Sequence, residues 1–145
     1  MQFTTTRPDS RDDRIAIGLR IIAVALALTT AAIHLSLGGI LFLLNAAGYA
    51  VLAAGLVVPG SFAERFRWGP RLALLGFTAT TIAAWVTFGA RYDMAYLAKA
   101  VEFGLVAVLL VDLQHAYGHP LSLARRILGD IGSLRDSLRK AVAGA

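Results

Sequence analysis

Four long apolar runs follow one another along the chain, separated by short polar or Gly/Pro-rich breaks. They cover about residues 15–37, 39–59, 70–90 and 94–116. A bilayer core about 30 Å thick needs roughly 20 apolar residues per helix, so each run is long enough to cross it. The pattern predicts four transmembrane helices within residues 15–119, and hence an all-α integral membrane four-helix bundle.

The two ends of the chain have different patterns. Residues 1–14 are polar and mixed in charge without an apolar period, which predicts a flexible tail. In residues 120–145, apolar side chains recur at spacings of three and four among basic ones, which predicts an amphipathic C-terminal helix. Such a helix either lies on anionic lipid at the cytoplasmic surface or forms a short coiled coil for self-association.

The composition also favours a lipid environment. Of the 145 residues, 57% are hydrophobic, 16% are charged and none is cysteine. The lack of cysteine excludes disulfides, thiolate metal sites and cysteine nucleophiles. A net charge of +5 is compatible with nucleic acid, but in a membrane protein basic residues mark the cytoplasmic face. We therefore predict the lipid bilayer as partner and no nucleic acid.

Basic residues are distributed unevenly between the two sides of the predicted bundle. The connection between spans two and three contains Arg65, Arg67 and Arg71, and both tails are rich in arginine. The opposite side has only Arg91. By the positive-inside rule, this asymmetry predicts a multi-pass protein of the inner (plasma) membrane with both termini in the cytoplasm.

Span four contains two charged residues, Lys99 and Glu102, in an otherwise apolar sequence. A lysine near the centre of a span costs about 2.5–3.5 kcal/mol on insertion scales, while each large apolar residue returns about 0.3–0.6 kcal/mol. Residues three apart are neighbours on one helix face, so the two side chains can pair with each other. Such a pair either fixes the packing of the helices or forms part of a functional site.

Antiparallel threading places further polar residues at a similar depth. The candidates for one polar cluster in the outer half of the bundle are His34, Asn45, Thr81, Trp85, Lys99 and Glu102. In a ligand, ion or proton site, Glu102 would bind or relay and His34 would titrate near neutral pH. In a structural cluster, the same residues would only set the register of the helices.

A weaker pattern lies at the inner end of span four. Asp112, His115 and His119 fall on one helical arc if the helix continues, and a carboxylate with two imidazoles can bind a metal ion. Pro120 biases His119 away from helical geometry, which weakens this prediction. No cofactor is predicted from the sequence.

Several segments resemble an uncharacterised group of small prokaryotic four-span membrane proteins. The segments are HLSLG (34–38), LFLLNAAGYAVLA (41–53), TIAAWVTFGARY (81–92) and YLAKAVEFGLVAVLL (96–110). The most distinctive residues are Leu44, Asn45, Gly48 and Tyr49 in one run and the Lys99–Glu102 pair in another. The resemblance implies the fold and the membrane location, and it implies no activity.

No nucleophile elbow, HExxH motif or phosphate-binding loop occurs in the chain. The sequence therefore predicts a non-enzymatic membrane protein, an accessory or interaction subunit in which the Lys/Glu pair organises the bundle. It predicts assembly as a homo-oligomer or within a larger membrane complex. The alternative is a small oligomeric transporter or channel-like protein, and a more remote one is a haem or metal redox subunit.

Overall fold

A computed structural model describes residues 10–60 and 65–143 of the chain. Five helices account for most of these residues. They are α1 (Ser10–Leu37), α2 (Ile40–Val57), α3 (Trp68–Phe88), α4 (Asp93–Tyr117) and α5 (Pro120–Ala143). The all-α class and the C-terminal helix are confirmed, and α1 to α4 are long and apolar enough to cross a membrane. By helix composition, the chain is a multi-pass membrane protein.

The helix ends follow local sequence signals. Gly38 and Gly39 have φ values of +70° and +84°, which glycine adopts without strain, and they form the tight turn between α1 and α2. Helix α2 ends at Val57 because Val58 precedes Pro59 and adopts an extended conformation. Helix α4 ends at Tyr117, where the Gly118 N–H donates to the Gln114 carbonyl.

The first helix begins at Ser10, five residues before the predicted start of the first span. Asp12 and Asp13 lie in its first turn, where acidic side chains interact favourably with the helix dipole. The helix thus extends over residues 10–14 of the predicted tail. The rest of the predicted tail, residues 1–9, lies outside the described residues.

The four spans form a closed ring of neighbours, in which α1 and α3 each pack against α2 and α4. The turns at residues 38–39 and 89–92 lie at one end, which we call the hairpin end. The α2–α3 connection and α5 lie at the other, which we call the tail end. Helix α1 presents three buried alanines to its neighbours, Ala23, Ala27 and Ala31. Their small side chains let the helix backbones approach closely.

Helices α2 and α3 pack closely where Phe77 lies against Gly48. A Cβ added to Gly48 would lie 2.6 Å from Cζ of the Phe77 ring. That ring also packs edge-on against Tyr49, with ring centroids 5.0 Å apart. The Phe77 ring must therefore shift to accept a side chain at position 48, and such a shift disturbs its contact with Tyr49.

We expect Gly48→Ala to destabilise the bundle by overpacking, a change that costs about 1–3 kcal/mol. The matched control is Gly76→Ala in α3, because nothing lies within 4 Å of a Cβ built there. Thermal unfolding in detergent should give a lower midpoint for Gly48→Ala than for Gly76→Ala. Equal midpoints for the two variants would show that the Phe77 contact does not limit the packing.

Candidate functional site

The carboxylate of Glu102 lies at the centre of a buried polar cluster. It is about 14 Å along α4 from the first residue of that helix, and its side chain is 0% exposed. Lys99 Nζ donates to Oε2 at 2.5 Å and Thr81 Oγ1 donates to the same oxygen at 2.9 Å. Thr30 Oγ1 donates to Oε1 at 3.4 Å, and His34 Nε2 lies 3.6 Å from Oε1. One carboxylate thus contacts α1, α3 and α4.

Tyr49 connects α2 to the same cluster. Its hydroxyl lies 2.9 Å from Thr81 Oγ1, and the residue is fully buried. When Thr81 donates its single hydroxyl hydrogen to Glu102, Tyr49 must be the donor to Thr81. We call Thr30, His34, Tyr49, Thr81, Lys99 and Glu102 the Glu102 cluster. Its members come from all four spans.

The ring of His34 is oriented by its own helix. Its Nδ1 lies 2.8 Å from the backbone carbonyl oxygen of Thr30. A carbonyl oxygen only accepts hydrogen bonds, so Nδ1 must bear the hydrogen. The remaining nitrogen, Nε2, faces Oε1 of Glu102. A proton on either His34 Nε2 or Glu102 Oε1 makes this contact attractive. When neither atom bears a proton, a lone pair of the imidazole faces a lone pair of the carboxylate.

A pocket of about 400 Å³ opens beside this cluster at the hairpin end. We call it the hairpin pocket. Its polar lining includes His34, Asn45, Thr81 and Lys99, and its aromatic lining is Phe42, Trp85, Phe88 and Tyr92. The Glu102 carboxylate lies behind Lys99 and Thr81 and does not line the pocket. The pocket therefore reaches the cluster through Lys99, His34 and Thr81.

Asn45 and Trp85 line the hairpin pocket but make no contact with the Glu102 carboxylate. The half-buried Asn45 amide makes no hydrogen bond to any described residue. Trp85 Nε1 donates to the Ala90 carbonyl at 3.1 Å, and the Arg91 guanidinium lies 4.1 Å from its ring centroid. Trp85 thus fixes the α3–α4 turn and forms one wall of the pocket.

The structure brings four of the six predicted cluster residues together and places the other two, Asn45 and Trp85, in the lining of the hairpin pocket. Thr30 and Tyr49 are cluster members that the predicted set omitted. Each lies four residues from a member of that set, Thr30 from His34 and Tyr49 from Asn45. Residues four apart share a helix face, so helical periodicity is the signal that identifies them.

A second buried ionic pair lies towards the tail end, where sequence reasoning did not predict one. Arg71 Nε donates to Asp112 Oδ2 at 2.6 Å, and Nη2 lies 3.4 Å from Oδ1. Both residues are buried, and Arg71 Nη1 also donates to the Arg67 carbonyl at 2.9 Å. The charge asymmetry counts Arg71 with the basic α2–α3 connection, and in the structure it is the fourth residue of α3. Its position at the start of α3, antiparallel to the end of α4, brings it to Asp112.

The predicted metal ligands are not brought together. Asp112 is buried against Arg71, whereas His115 and His119 are exposed. The helix ends at Tyr117, so His119 lies beyond the break and does not share the predicted arc. Among residues 10–60 and 65–143, no group of three histidine or acidic side chains is placed to hold a metal ion.

Helix α5 is held against the α2–α3 connection through Asp130. The Trp68 indole Nε1 donates to Asp130 Oδ2 at 3.0 Å, and Arg65 Nε lies 3.5 Å from Oδ1. Arg65 also donates to the Ser133 hydroxyl. These contacts leave the apolar side chains of α5 exposed, namely Leu121, Leu128, Ile131, Leu134, Leu138 and Val142.

We expect Asp130→Ala to loosen the contact of α5 with the α2–α3 connection and the start of α3, because it removes the shared acceptor of Trp68 and Arg65 and leaves the Arg65–Ser133 hydrogen bond. A partly exposed pair of contacts of this kind contributes roughly 0.5–1.5 kcal/mol. Trypsin cleavage within α5 should then be roughly threefold to tenfold faster. Asp136→Ala is the control, because Asp136 is 64% exposed and pairs only with its neighbour Arg135 among the described residues. Equal cleavage rates in the two variants would contradict docking through Asp130.

Comparison of the chain with models of protein families, with curated proteins and with solved structures found no match. The resemblance of residues 34–112 to small four-span membrane proteins is supported at the level of four apolar helices. No family is identified.

Proposed function

We propose that the chain is a non-enzymatic integral membrane protein, an accessory or interaction subunit whose four spans are organised by the Glu102 cluster. The observation that carries this proposal is the convergence of all four spans on one buried network centred on the Glu102 carboxylate. Lys99 and Thr81 bind one carboxylate oxygen and Thr30 and His34 approach the other, while Tyr49 joins through Thr81. A fully partnered buried network specifies one arrangement of the helices.

The outer surface of the bundle supports a role in assembly. Between 17% and 33% of the residues in the most apolar window of each span are buried inside the chain. Most of each span therefore faces outwards, and large apolar side chains dominate this outer surface. The charged side chains of the two ionic pairs, Lys99–Glu102 and Arg71–Asp112, are buried inside the bundle. A partner within the bilayer would therefore contact apolar side chains and bind through close packing.

The proposed orientation has both termini in the cytoplasm and the hairpin end on the outer side of the inner (plasma) membrane. It rests on the predominance of arginine at the tail end and on Arg91 as the one basic residue in the hairpin-end turns. In this orientation α5 lies at the anionic leaflet, with exposed basic residues Arg125, Arg126, Arg135, Arg139 and Lys140. We propose anionic lipid as its partner.

The size of the native assembly tests the subunit role. The chain has a mass of 15.4 kDa. Extraction of the tagged protein from its own membranes in a mild detergent, followed by native mass spectrometry, should give a homo-oligomer or a larger complex. A monomer under all extraction conditions, including lipid nanodiscs formed directly from the membrane, would contradict the proposal.

A second candidate function is that of a small transporter, and two observations favour it. The hairpin pocket reaches Lys99 and His34, and His34 Nε2 faces Glu102 at a distance where one proton decides the interaction. Proton or solute flux into proteoliposomes should then be lost in Glu102→Gln, while the yield of folded protein is retained. Asp93→Asn, which neutralises an exposed carboxylate in the first turn of the same helix, should retain the flux. Parent protein without flux would rule out this candidate.

A further inference from the structure

The hairpin pocket combines an apolar body with a small polar floor. Its volume of about 400 Å³ lies in the range of small-molecule sites. Its rim is open to the surroundings of the bundle, since Leu41 is 77% exposed and Phe88 is 88% exposed. At its floor lie Asn45, Thr81 and Lys99. A molecule dissolved in the bilayer can therefore enter with its apolar part against the aromatic side chains.

The charges at the floor decide the kind of head group that fits. The Lys99 ammonium is already neutralised by Glu102 at 2.5 Å, so Lys99 offers no uncompensated positive charge to an anion at the floor. A cationic head group would face the Lys99 ammonium at close range. An uncharged head group avoids both the burial of an unpaired anion and the repulsion between a cation and Lys99. Burying an unpaired charge costs far more free energy than burying a hydrogen-bonded neutral group.

Asn45 provides the polar contact that a neutral head group needs. Its amide offers both donors and an acceptor, and no described residue hydrogen-bonds to it. It lies in α2 among residues that face lipid, with Leu41, Leu43 and Leu44 all exposed. An unpartnered amide is unfavourable in that environment and becomes favourable when a ligand donates to or accepts from it.

We propose that the hairpin pocket binds an uncharged amphipathic molecule, with a hydroxyl or carbonyl head group on Asn45 and an apolar body against Phe42, Trp85 and Phe88. This binding is a property additional to the organising role of the Glu102 cluster. It does not require that the protein transports the bound molecule. The molecule belongs to the class of lipid-soluble alcohols and ketones. Asn45 acts as the residue that selects a head group with hydrogen-bonding capacity.

The positions of the two tryptophans make this proposal measurable. Trp85 lines the pocket, whereas Trp68 lies at the tail end against Asp130. Trp68→Phe leaves Trp85 as the single tryptophan, and Trp85→Phe leaves Trp68 as the reference. Both variants are placed in phosphatidylcholine nanodiscs and titrated with bromodecanol, whose bromine quenches indole fluorescence on contact.

Bromodecanol should quench Trp85 along a saturable curve, while quenching of Trp68 should rise linearly with the amount of probe in the bilayer. Unbrominated decanol should restore Trp85 emission by competition, and decane should compete at least fivefold less well. Asn45→Leu should weaken the saturable binding by roughly tenfold, the effect of about 1.4 kcal/mol for one hydrogen bond. The matched control Gln114→Leu, an exposed amide at the tail end, should leave it unchanged.

Linear quenching of Trp85 with the same slope as Trp68 would overturn the proposal. So would equal competition by decanol and decane, because this comparison tests the head group without changing Asn45. Tighter binding of bromodecanoate, at a pH where it is ionised, would overturn the assignment of an uncharged ligand. Failure of this titration would not count against the organising role of the Glu102 cluster, because every variant in it keeps that cluster intact.

Discussion

Replacing Glu102 by leucine is expected to lower the free energy of unfolding by about 3–5 kcal/mol, the cost of breaking a buried ionic pair by removing one partner. The change leaves the buried Lys99 side chain without its 2.5 Å acceptor, and Thr81 keeps the Thr78 carbonyl oxygen as an acceptor. Lys99→Leu should be destabilising for the complementary reason. Unfolding in detergent, followed by the loss of helical circular dichroism, measures each variant.

The double variant Lys99→Leu/Glu102→Leu separates the pair from the rest of the cluster. It removes both charges, so it should be more stable than either single variant. It should remain less stable than the parent protein, because Thr30, Thr81 and His34 lose their shared carboxylate. A double variant more stable than the parent would mean that the charges are retained at a cost to the fold, which favours the transporter. Unchanged stability in all three variants would contradict the organising role.

The second large effect is expected for Asp112→Leu, which leaves the Arg71 guanidinium buried without its carboxylate. The loss should be about 3 kcal/mol, at the lower end of the range for broken buried pairs. Arg71 lies at the start of α3 near the membrane surface, so its long side chain can partly reach the interface. It also keeps its hydrogen bond to the Arg67 carbonyl.

Two comparisons make the Asp112 measurement decisive. Asp136→Leu removes the carboxylate of an ionic pair in which both side chains are more than 60% exposed, and it should change the stability by less than 1 kcal/mol. Arg71→Leu/Asp112→Leu should recover most of the loss of the single variant. If Asp112→Leu were no worse than Asp136→Leu, the Arg71 contact would not contribute to the fold.

The helices themselves were predictable because each span is longer than 15 residues and is bounded by glycine, proline or charge. The Lys99–Glu102 pair was also predictable, since a spacing of three places the two side chains together on any helix. For His34 and Thr81, the sequence predicts only a similar depth in the bundle. Their contact with Glu102 depends on the rotation of α1 and α3 about their axes, which sequence does not fix.

The Arg71–Asp112 pair was missed for a physical reason. Both residues lie in the last turns before the predicted membrane boundary, where charged residues are expected to meet water and need no partner. Arg71 lies at the start of the predicted span 70–90 and is the fourth residue of α3, which begins at Trp68. The direction of its side chain then depends on the packing of α3 against α4, a tertiary property that a single sequence does not encode locally.

The two buried ionic pairs have a consequence for how the protein enters the membrane. Helix α4 carries Lys99, Glu102 and Asp112, and most of their partners lie on α1 and α3. Those helices precede α4 in the chain, so they leave the ribosome before it and are available at the translocon when it arrives. A span with three charges is close to the threshold for insertion by itself. The order of the helices along the chain thus lets the span that carries the buried Lys99–Glu102 pair and Asp112 enter after the helices whose side chains bind these groups.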